Sequence, residues 1–389
     1  VRVLVAIVGS LGDVNPRLAI GRELQRRGHD VVIATHACHR QRVEAAGLAF
    51  RTLRPESISL EDPIGLARQG IVDSALASSV LSQSSAIFED LLAACADADL
   101  VVSSDAVIPV GLVAFAQRIP WVHTLITPAA LAPDAPSPEA RRRLAQSVKT
   151  RTRALAALCN AHGIAAAAVY ERPGATIALF SPALVQDQAP EMSGVPAVGF
   201  CFYESEDALD ASITDFLKAG DPPVVFTFGS ASPIAVEALF DVSLAAVAAL
   251  GVRAIFLTWG KRADLPCESS FGQKVLLTGN PPYSQLFPCS RAIVHHGGIG
   301  SVSWALRAGK PMVISPLLLD QPANAERVRR LGVARVIMPE NYRADTLIDE
   351  LGRVLDDASY AQNAQHFSKL LASENGPSEA CRIIERMAA

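Results

Sequence analysis

"RAIVHHGGIGSVSWALRAGKPMVIS", residues 291–315, passes from one apolar run to another through a burst of glycines and a helical pattern. Arg291–Val294 and Pro311–Ser315 are short runs bounded by turn residues, the pattern of strands buried on both faces. Ser301–Ala308 between them reads as a helix. Two strands joined by a crossover helix run parallel, so this stretch predicts an α/β fold.

The same alternation extends in both directions. Upstream lie strands at Val224–Phe228, Ala254–Trp259 and Val275–Thr278, with a helix over Pro233–Leu250. The first half repeats the scheme independently. Its strands are Val1–Val8, Val31–Thr35, Asp99–Ser103 and Trp121–Ile126, and its helices Pro16–Arg27 (ended by Gly28), a segment to Ala46, and Val110–Gln117. Residues 201–221 between the halves carry an acidic patch (Glu204, Glu206, Asp207, Asp210) and end in a Gly-Asp-Pro-Pro break. We therefore expect two doubly wound parallel-sheet domains, 1–205 and 206–389.

Composition excludes several classes. The chain has 389 residues, of which 50% are apolar and 19% charged, enough for two filled cores. A net charge of −4 with both signs scattered leaves no basic footprint for nucleic acid. No run has the ~20 apolar residues a membrane span needs; Ala106–Ala116 is closed by Gln117 and Arg118. Val1–Val8 reads as a buried strand and not as a signal peptide. Seven widely spaced cysteines fit free thiols in a reducing cytosol.

In doubly wound sheets ligands bind beyond the carboxyl ends of strands. Four such places carry reactive side chains. Gly297, Gly298 and Gly300 permit close approach to the backbone, the helix after them offers unpaired N–H groups, and Ser301 and His296 add side-chain donors. An anion cradle and a plain tight turn both remain open on local grounds. Phe226-Thr-Phe-Gly229-Ser230 reads as a second set of donors or as an ordinary capped turn. Gly9-Ser-Leu-Gly-Asp13-Val-Asn-Pro16 lacks the dinucleotide fingerprint, and Asp13 is either a helix-start carboxylate or a general base. Asp320-Gln321 can hold vicinal hydroxyls or cap the helix that follows. His36-Ala-Cys-His39 lacks the distant partner a metal site requires, and Asp97 and Asp99 precede a strand, as a solvated turn does. No metal site is expected.

Taken together these motifs are far more specific. "PPYSQLFPCSRAIVHHGGIGSVSWALRAGKPMVISPLLLDQPANAERVRRLGVA", residues 281–334, resembles the donor signature of the glycosyltransferases that include the UDP-glucuronosyl- and glucosyltransferases. With "GSLGDVNP" at 9–16, the chain looks closest to the branch holding bacterial rhamnolipid rhamnosyltransferases, sterol glucosyltransferases and glycopeptide glycosyltransferases. "DQPANAERVRRLG" leans toward the rhamnolipid enzymes. The resemblance implies the GT-B fold: two Rossmann-like domains facing across a cleft, the first for the acceptor and the second for the nucleotide sugar, with the last helix packing back on the first.

Carried over position by position, the resemblance implies that His296, Gly298, Gly300, Ser301, Gly229 and Ser230 hold the donor diphosphate. Asp320 and Gln321 match the pair that holds sugar hydroxyls, and Pro282 and Tyr283 fall where the base is read. Many relatives have Gly-His-X-X-Pro near the amino terminus, with His as base; here Asp13 occupies that slot, and Asp105 matches the residue that orients it. Were Asp13 and Asp105 close, like-charge repulsion would raise one pKa. Trp304 stands where many UDP-sugar enzymes carry a ribose-gripping Glu, which leaves room for a dTDP-sugar.

The expected activity is inverting, metal-independent transfer of a rhamnose- or glucose-type sugar from a dTDP- or UDP-sugar to a hydroxyl of a hydrophobic small molecule or lipid, with rhamnolipid-type transfer favoured. No cofactor is expected beyond the nucleotide-sugar co-substrate. Segments 71–87 and 127–136 are apolar and are expected to line the acceptor pocket. The expected location is cytoplasmic, with a lipid acceptor drawing the protein to the inner face of the membrane. A nucleotide-sugar epimerase on the same architecture and a non-catalytic scaffold are the competing readings; the oligomeric state is not legible.

Overall fold

The structure is a computed structural model that describes residues 1–56, 82–131, 138–185, 194–205, 207–229, 233–258 and 274–388. Of these residues, those up to Tyr203 form one compact unit together with Glu374–Ala388, and Glu204–Ser373 form a second.

In the first unit the order is β1 (Arg2–Ala6), α1 (Leu11–Arg26), β2 (Asp30–Thr35), α2 (Arg40–Ala45), β3 (Ala49–Thr52), α3 (Ser84–Ala94), β4 (Leu100–Ser104), α4 (Val110–Gln117), β5 (Trp121–Leu125), α5 (Pro138–His162) and β6 (Ala175–Ala178). The second unit has α6 (Ala211–Lys218), β7 (Val224–Thr227), α7 (Pro233–Leu250), β8 (Ala254–Leu257), β9 (Val275–Thr278), α8 (Tyr283–Leu286), β10 (Ala292–His295), α9 (Ile299–Arg307), β11 (Met312–Ile314), α10 (Gln321–Arg330), β12 (Ala334–Val336), α11 (Ala344–Asp356) and α12 (Ala358–Ala372). The terminal helix α13 (Gly376–Ala388) returns to the first unit, where it packs on α1 and β6.

Each unit holds one six-stranded sheet, ordered β3-β2-β1-β4-β5-β6 and β12-β11-β10-β7-β8-β9, with every pairing parallel. Counted from its own first strand, each sheet has the order 3-2-1-4-5-6. The direction in which successive strands are added reverses between β1 and β4 in one sheet and between β7 and β10 in the other. Such switch points open a crevice at the carboxyl ends of the central strands. The turns holding Asp13, Asp105, Gly229 and His296 follow these four strands.

The apolar runs are strands because both faces are covered. Val3, Val5 and Ile7 pack with Val14 and Leu18 of α1 and with Ala380 and Ile384 of α13. Leu4, Ala6 and Val8 pack on the other face with Ile87, Phe88 and Leu91 of α3. In the second unit Phe226 stacks on Phe256 with ring centroids 4.5 Å apart. Three strands have no such run: β3 and β12 are partly exposed edges, and β6 is only half covered. The α1 boundary also differs from expectation. The helix starts at Leu11, and Pro16 lies inside it, because Ser10 and Asp13 form a capping box.

The turn before β4 is occupied by ion pairs: the Arg2 backbone N–H donates to Asp99 at 2.7 Å, and its guanidinium pairs with Asp97. The six described cysteines are free thiols. No helix among the described residues is long and apolar enough to cross a membrane. Ser230, the Trp259 end of its strand, and most of the acceptor segments at 71–87 and 127–136 lie outside the described residues.

Candidate functional site

At the switch point of the second sheet, β10 ends in His295 and the chain turns through Gly297 and Gly298 into α9. Gly297 has φ +87°, and a Cβ there would lie 2.9 Å from Ile314 Cγ2. The Gly297 N–H donates to His295 Nδ1 at 3.0 Å, which leaves the proton of a neutral ring on His295 Nε2. Gly298 is the N-cap of α9 and has no side chain to cap it, so the first N–H groups of the helix stay available to a ligand. Among the described residues a Cβ on Gly300 would meet nothing within 4 Å.

His296 fits between two glycines. A Cβ on Gly229 (φ +82°) or on Gly298 would fall within 3 Å of its ring. Burial holds its pKa down to about 4, with the Thr227 backbone acting weakly the other way. At neutral pH it is therefore an uncharged donor and not a cation. Its Nδ1 is enclosed without a hydrogen-bond partner among the described residues.

Beneath the turn, the Tyr283 hydroxyl bonds Thr227 Oγ1 at 2.9 Å and also the Ser301 hydroxyl. Burial pushes this phenol up to about 12, so it stays protonated. Its ring stacks on Phe287 at 4.2 Å. Tyr283 and Ser301, expected to contact the base and the phosphate, thus also knit β7, α8 and α9 together. Pro282 immediately precedes α8 as its N-cap.

The Asp320-Gln321 pair opens α10. Gln321 Oε1 accepts from Leu317 N at 2.8 Å and Leu318 N at 3.0 Å, so its oxygen is spent on the turn and only its NH₂ remains for another acceptor. Asn324 donates to Asp320 Oδ2 at 2.7 Å and to the Gly297 carbonyl at 3.1 Å. It thereby ties the glycine turn to the acidic pair, a role the sequence pattern did not assign. Trp304 lies one turn along α9 from Ser301, with the Arg307 guanidinium 5.0 Å from its ring centre.

At the switch point of the first sheet, Asp13 Oδ2 accepts from Ser10 N at 2.8 Å and Ser10 Oγ at 3.2 Å. Gly9 (φ +142°) is required beside it, since a Cβ would lie 2.2 Å from the carboxylate. His39 Nε2 donates to the Gly9 carbonyl at 3.1 Å, a tether that accounts for one histidine of the His-Ala-Cys-His segment. No group of three His, Cys, Asp or Glu among the described residues is arranged to hold a metal.

The buried Arg17 guanidinium lies 4.0 Å from Asp13 Oδ1, and the Asp13 and Asp105 carboxylates both favour its charged form against the effect of burial. Arg151 and His123 also act on, or respond to, Asp105. The one legible signal for Arg17 was a charge on the apolar stripe of α1, between the fully buried Val14 and Leu18.

Two family descriptions match: "Glycosyltransferase family 28 N-terminal domain" over residues 3–124, and "Erythromycin biosynthesis protein CIII-like, C-terminal domain" over residues 244–387. An uncharacterized glycosyltransferase of Mycobacterium leprae, ML2348, is 31% identical, covering 84% of this chain and 83% of that protein. The O-mycaminosyltylonolide 6-deoxyallosyltransferase of Streptomyces fradiae is 27% identical over 100% of this chain and 97% of its own length. Sterol 3-beta-glucosyltransferase UGT80A2 of Arabidopsis thaliana is 29% identical over 98% of this chain, which spans 64% of that enzyme. Among solved structures, the spinosyn rhamnosyltransferase SpnG, complexed with thymidine diphosphate, superposes with a TM-score of 0.74 at 20% identity, covering 99% of this chain and 100% of that one. Two parallel sheets of the same order, the motifs at their switch points and these matches agree: the chain belongs to the GT-B glycosyltransferases and is an enzyme of that family.

Proposed function

We propose that the protein moves a hexose of the rhamnose or glucose type from a nucleoside-diphosphate sugar to a hydroxyl of a hydrophobic small molecule, with inversion and without a metal ion. A dTDP-6-deoxyhexose of the rhamnose type is the favoured donor, in keeping with the rhamnolipid-like "DQPANAERVRRLG". Two further observations support this choice. By resemblance, Trp304 stands where many UDP-sugar enzymes carry a ribose-gripping Glu, and two of the similar proteins are named for transfer of 6-deoxyallose and rhamnose.

The observation that carries the reading is the placement of His296. A neutral imidazole packed against Gly229 and Gly298, beside an uncapped helix start, is a fixed donor set of the kind a diphosphate needs. In the transfer, the acceptor oxygen bonds the anomeric carbon as the bond to the diphosphate breaks, and both electrons leave with the diphosphate. Charge develops on the leaving group, where α9 N–H groups and His296 are already oriented. One such donor is typically worth about 10²–10³ in rate. Asp13 takes the acceptor proton late, as the new C–O bond forms, because a carboxylate is a poor base toward a ground-state alcohol. Asp320 and the Gln321 NH₂ hold sugar hydroxyls, Pro282–Tyr283 border the base, and Ser230 adds a hydroxyl. A lipid acceptor would bring the enzyme to the inner membrane face.

A thermal-shift series with dTDP, UDP and NAD, followed by an acceptor-dependent assay for released nucleoside diphosphate, tests the proposal. Stabilisation by dTDP above UDP, and release only when a hydrophobic alcohol is added, is the expected result. Release without acceptor, or stabilisation by NAD alone, would overturn it.

A further inference from the structure

We propose that Arg17 is a positioning residue for the transfer reaction: its buried guanidinium clamps the Asp13 turn to the end of β5 and supplies a permanent cation beside the Asp13 carboxylate. This rests on the reading of Asp13 as the proton acceptor and adds to it a residue outside the family motifs.

The geometry is specific. Arg17 is 0% exposed. Its Nε donates to Thr124 Oγ1 at 2.9 Å, its Nη2 to the Thr124 carbonyl at 2.8 Å, and its Nη1 to the Asp13 carbonyl at 2.8 Å. The same Nη1 lies 4.0 Å from Asp13 Oδ1. Thr124 Oγ1 in turn donates to the Ser103 carbonyl at 2.6 Å, in the strand that leads to Asp105. One side chain thus spans the turn after β1 and the ends of β5 and β4.

Packing gives no reason for a charge here. Val14, Leu18 and Leu24 on the same helix are all 0% exposed, so a Leu or Met would continue the stripe. Desolvating an ion costs several kcal/mol, and apolar replacements of buried ions are often neutral or stabilising. Burial does lower the Arg17 pKa, yet a guanidinium stays protonated at any working pH. The titrating partners are therefore the carboxylates. The charged or titratable groups facing it are Asp13 on its own helix, Asp105 after β4, Cys201, and His123 on β5; Arg151 of α5 acts on Asp105 and His123. A cation beside a carboxylate lowers its pKa by about 1–3 units. Arg17 thus sets a fixed cation beside Asp13 and holds its turn in register.

The test is the pH dependence of kcat, and of kcat/KM for the acceptor, in Arg17→Leu, Arg17→Lys and Thr124→Val, with donor KM measured alongside. In Arg17→Leu the acid limb should move up by about one unit, with kcat lower by about tenfold or more and donor KM within about twofold, since the donor groups are elsewhere. Arg17→Lys should restore the limb but not full kcat. Thr124→Val should keep the limb and lose part of kcat. A folded Arg17→Leu with the wild-type profile and kcat overturns the proposal; if that variant does not fold, wild-type kcat in both other variants does so. Asp13→Asn separates the two readings. Full turnover there removes the base assignment, whereas lost turnover there with an unchanged Arg17→Leu profile removes only the role of Arg17.

Discussion

A Cβ on Gly298 would stand 2.6 Å from Nε2 of His296, so the imidazole and the absent side chain occupy the same space. The glycine is required for the position of the histidine and not for its own backbone, whose φ of −58° any residue adopts. Gly298→Ala should therefore fold normally yet displace the ring, weakening dTDP binding and lowering turnover by about tenfold or more. Gly300→Ala is the contrasting case. The added methyl meets nothing and lies in a helix, so stability should rise by up to about 1 kcal/mol. If the first turn of α9 seats the diphosphate, that methyl points into ligand space and dTDP affinity should fall as the melting temperature rises. Calorimetry and thermal melting on the two variants check both statements.

Stability should fall in mild acid. His295 is buried and His296 half-buried, and desolvation holds the first well below its usual pKa and the second at about 4. The unfolded chain protonates near pH 6.5 and the folded one does not, so between about 6.5 and 4 the unfolded state binds more protons. Stability is then fully present above pH 6.5 and is lost as pH falls toward 4. For His296 alone the loss is on the order of 3 kcal/mol, at about 1.4 kcal/mol per unit. Urea denaturation at pH 7.5 and pH 4.5 should show the drop, and His296→Gln should reduce it; equal drops in the two proteins would contradict the burial argument.

Gln321 carries two separable functions. Its Oε1 holds the Leu317 and Leu318 N–H groups, and its NH₂ is the part assigned to sugar. Gln321→Glu keeps an acceptor for the turn and loses the donor. It should retain stability to within about 1 kcal/mol while raising donor KM. Gln321→Ala leaves a buried N–H unpaired and should cost about 1–3 kcal/mol as well. Comparable melting temperatures for the two variants would show that the turn does not depend on this oxygen.

Asp13→Asn should cut turnover by about 10²–10⁴ with donor affinity unchanged. The amide oxygen still accepts from Ser10 N, so the capping box survives, while the charge that faces Arg17 is removed together with the base. Single-turnover rates with dTDP affinity measured in parallel decide this. A variant that loses donor affinity to the same extent would place Asp13 in the donor site instead.

The strands were readable because a parallel strand covered on both faces must be apolar at successive positions, as Val3–Val8 and Ala292–Val294 are. The edge strands β3 and β12 were not, because exposure removes that constraint. The start of α1 is set by Ser10 and Asp13, whose reciprocal capping is itself a local signal, and not by Pro16. The glycine turns, the Asp13 turn and the Asp320-Gln321 pair were visible as strand-end chemistry, and their resemblance to a known signature singled out the donor-binding reading.

What residue order determined by itself was the alternation of strand and helix, the two halves, and the chemical types placed after each strand, since periodicity and caps depend on neighbours within a turn or two. Tertiary structure alone decided the 3-2-1-4-5-6 order of both sheets, and with it which turns meet at each switch point. It also decided that Gly229 and Gly298 confine the same ring, and that Arg17 reaches Thr124 and lies 4.0 Å from the Asp13 carboxylate. These contacts join residues far apart in the chain. They exist only because hydrogen-bonded strands bring distant turns together, and no local pattern specifies which strands become neighbours.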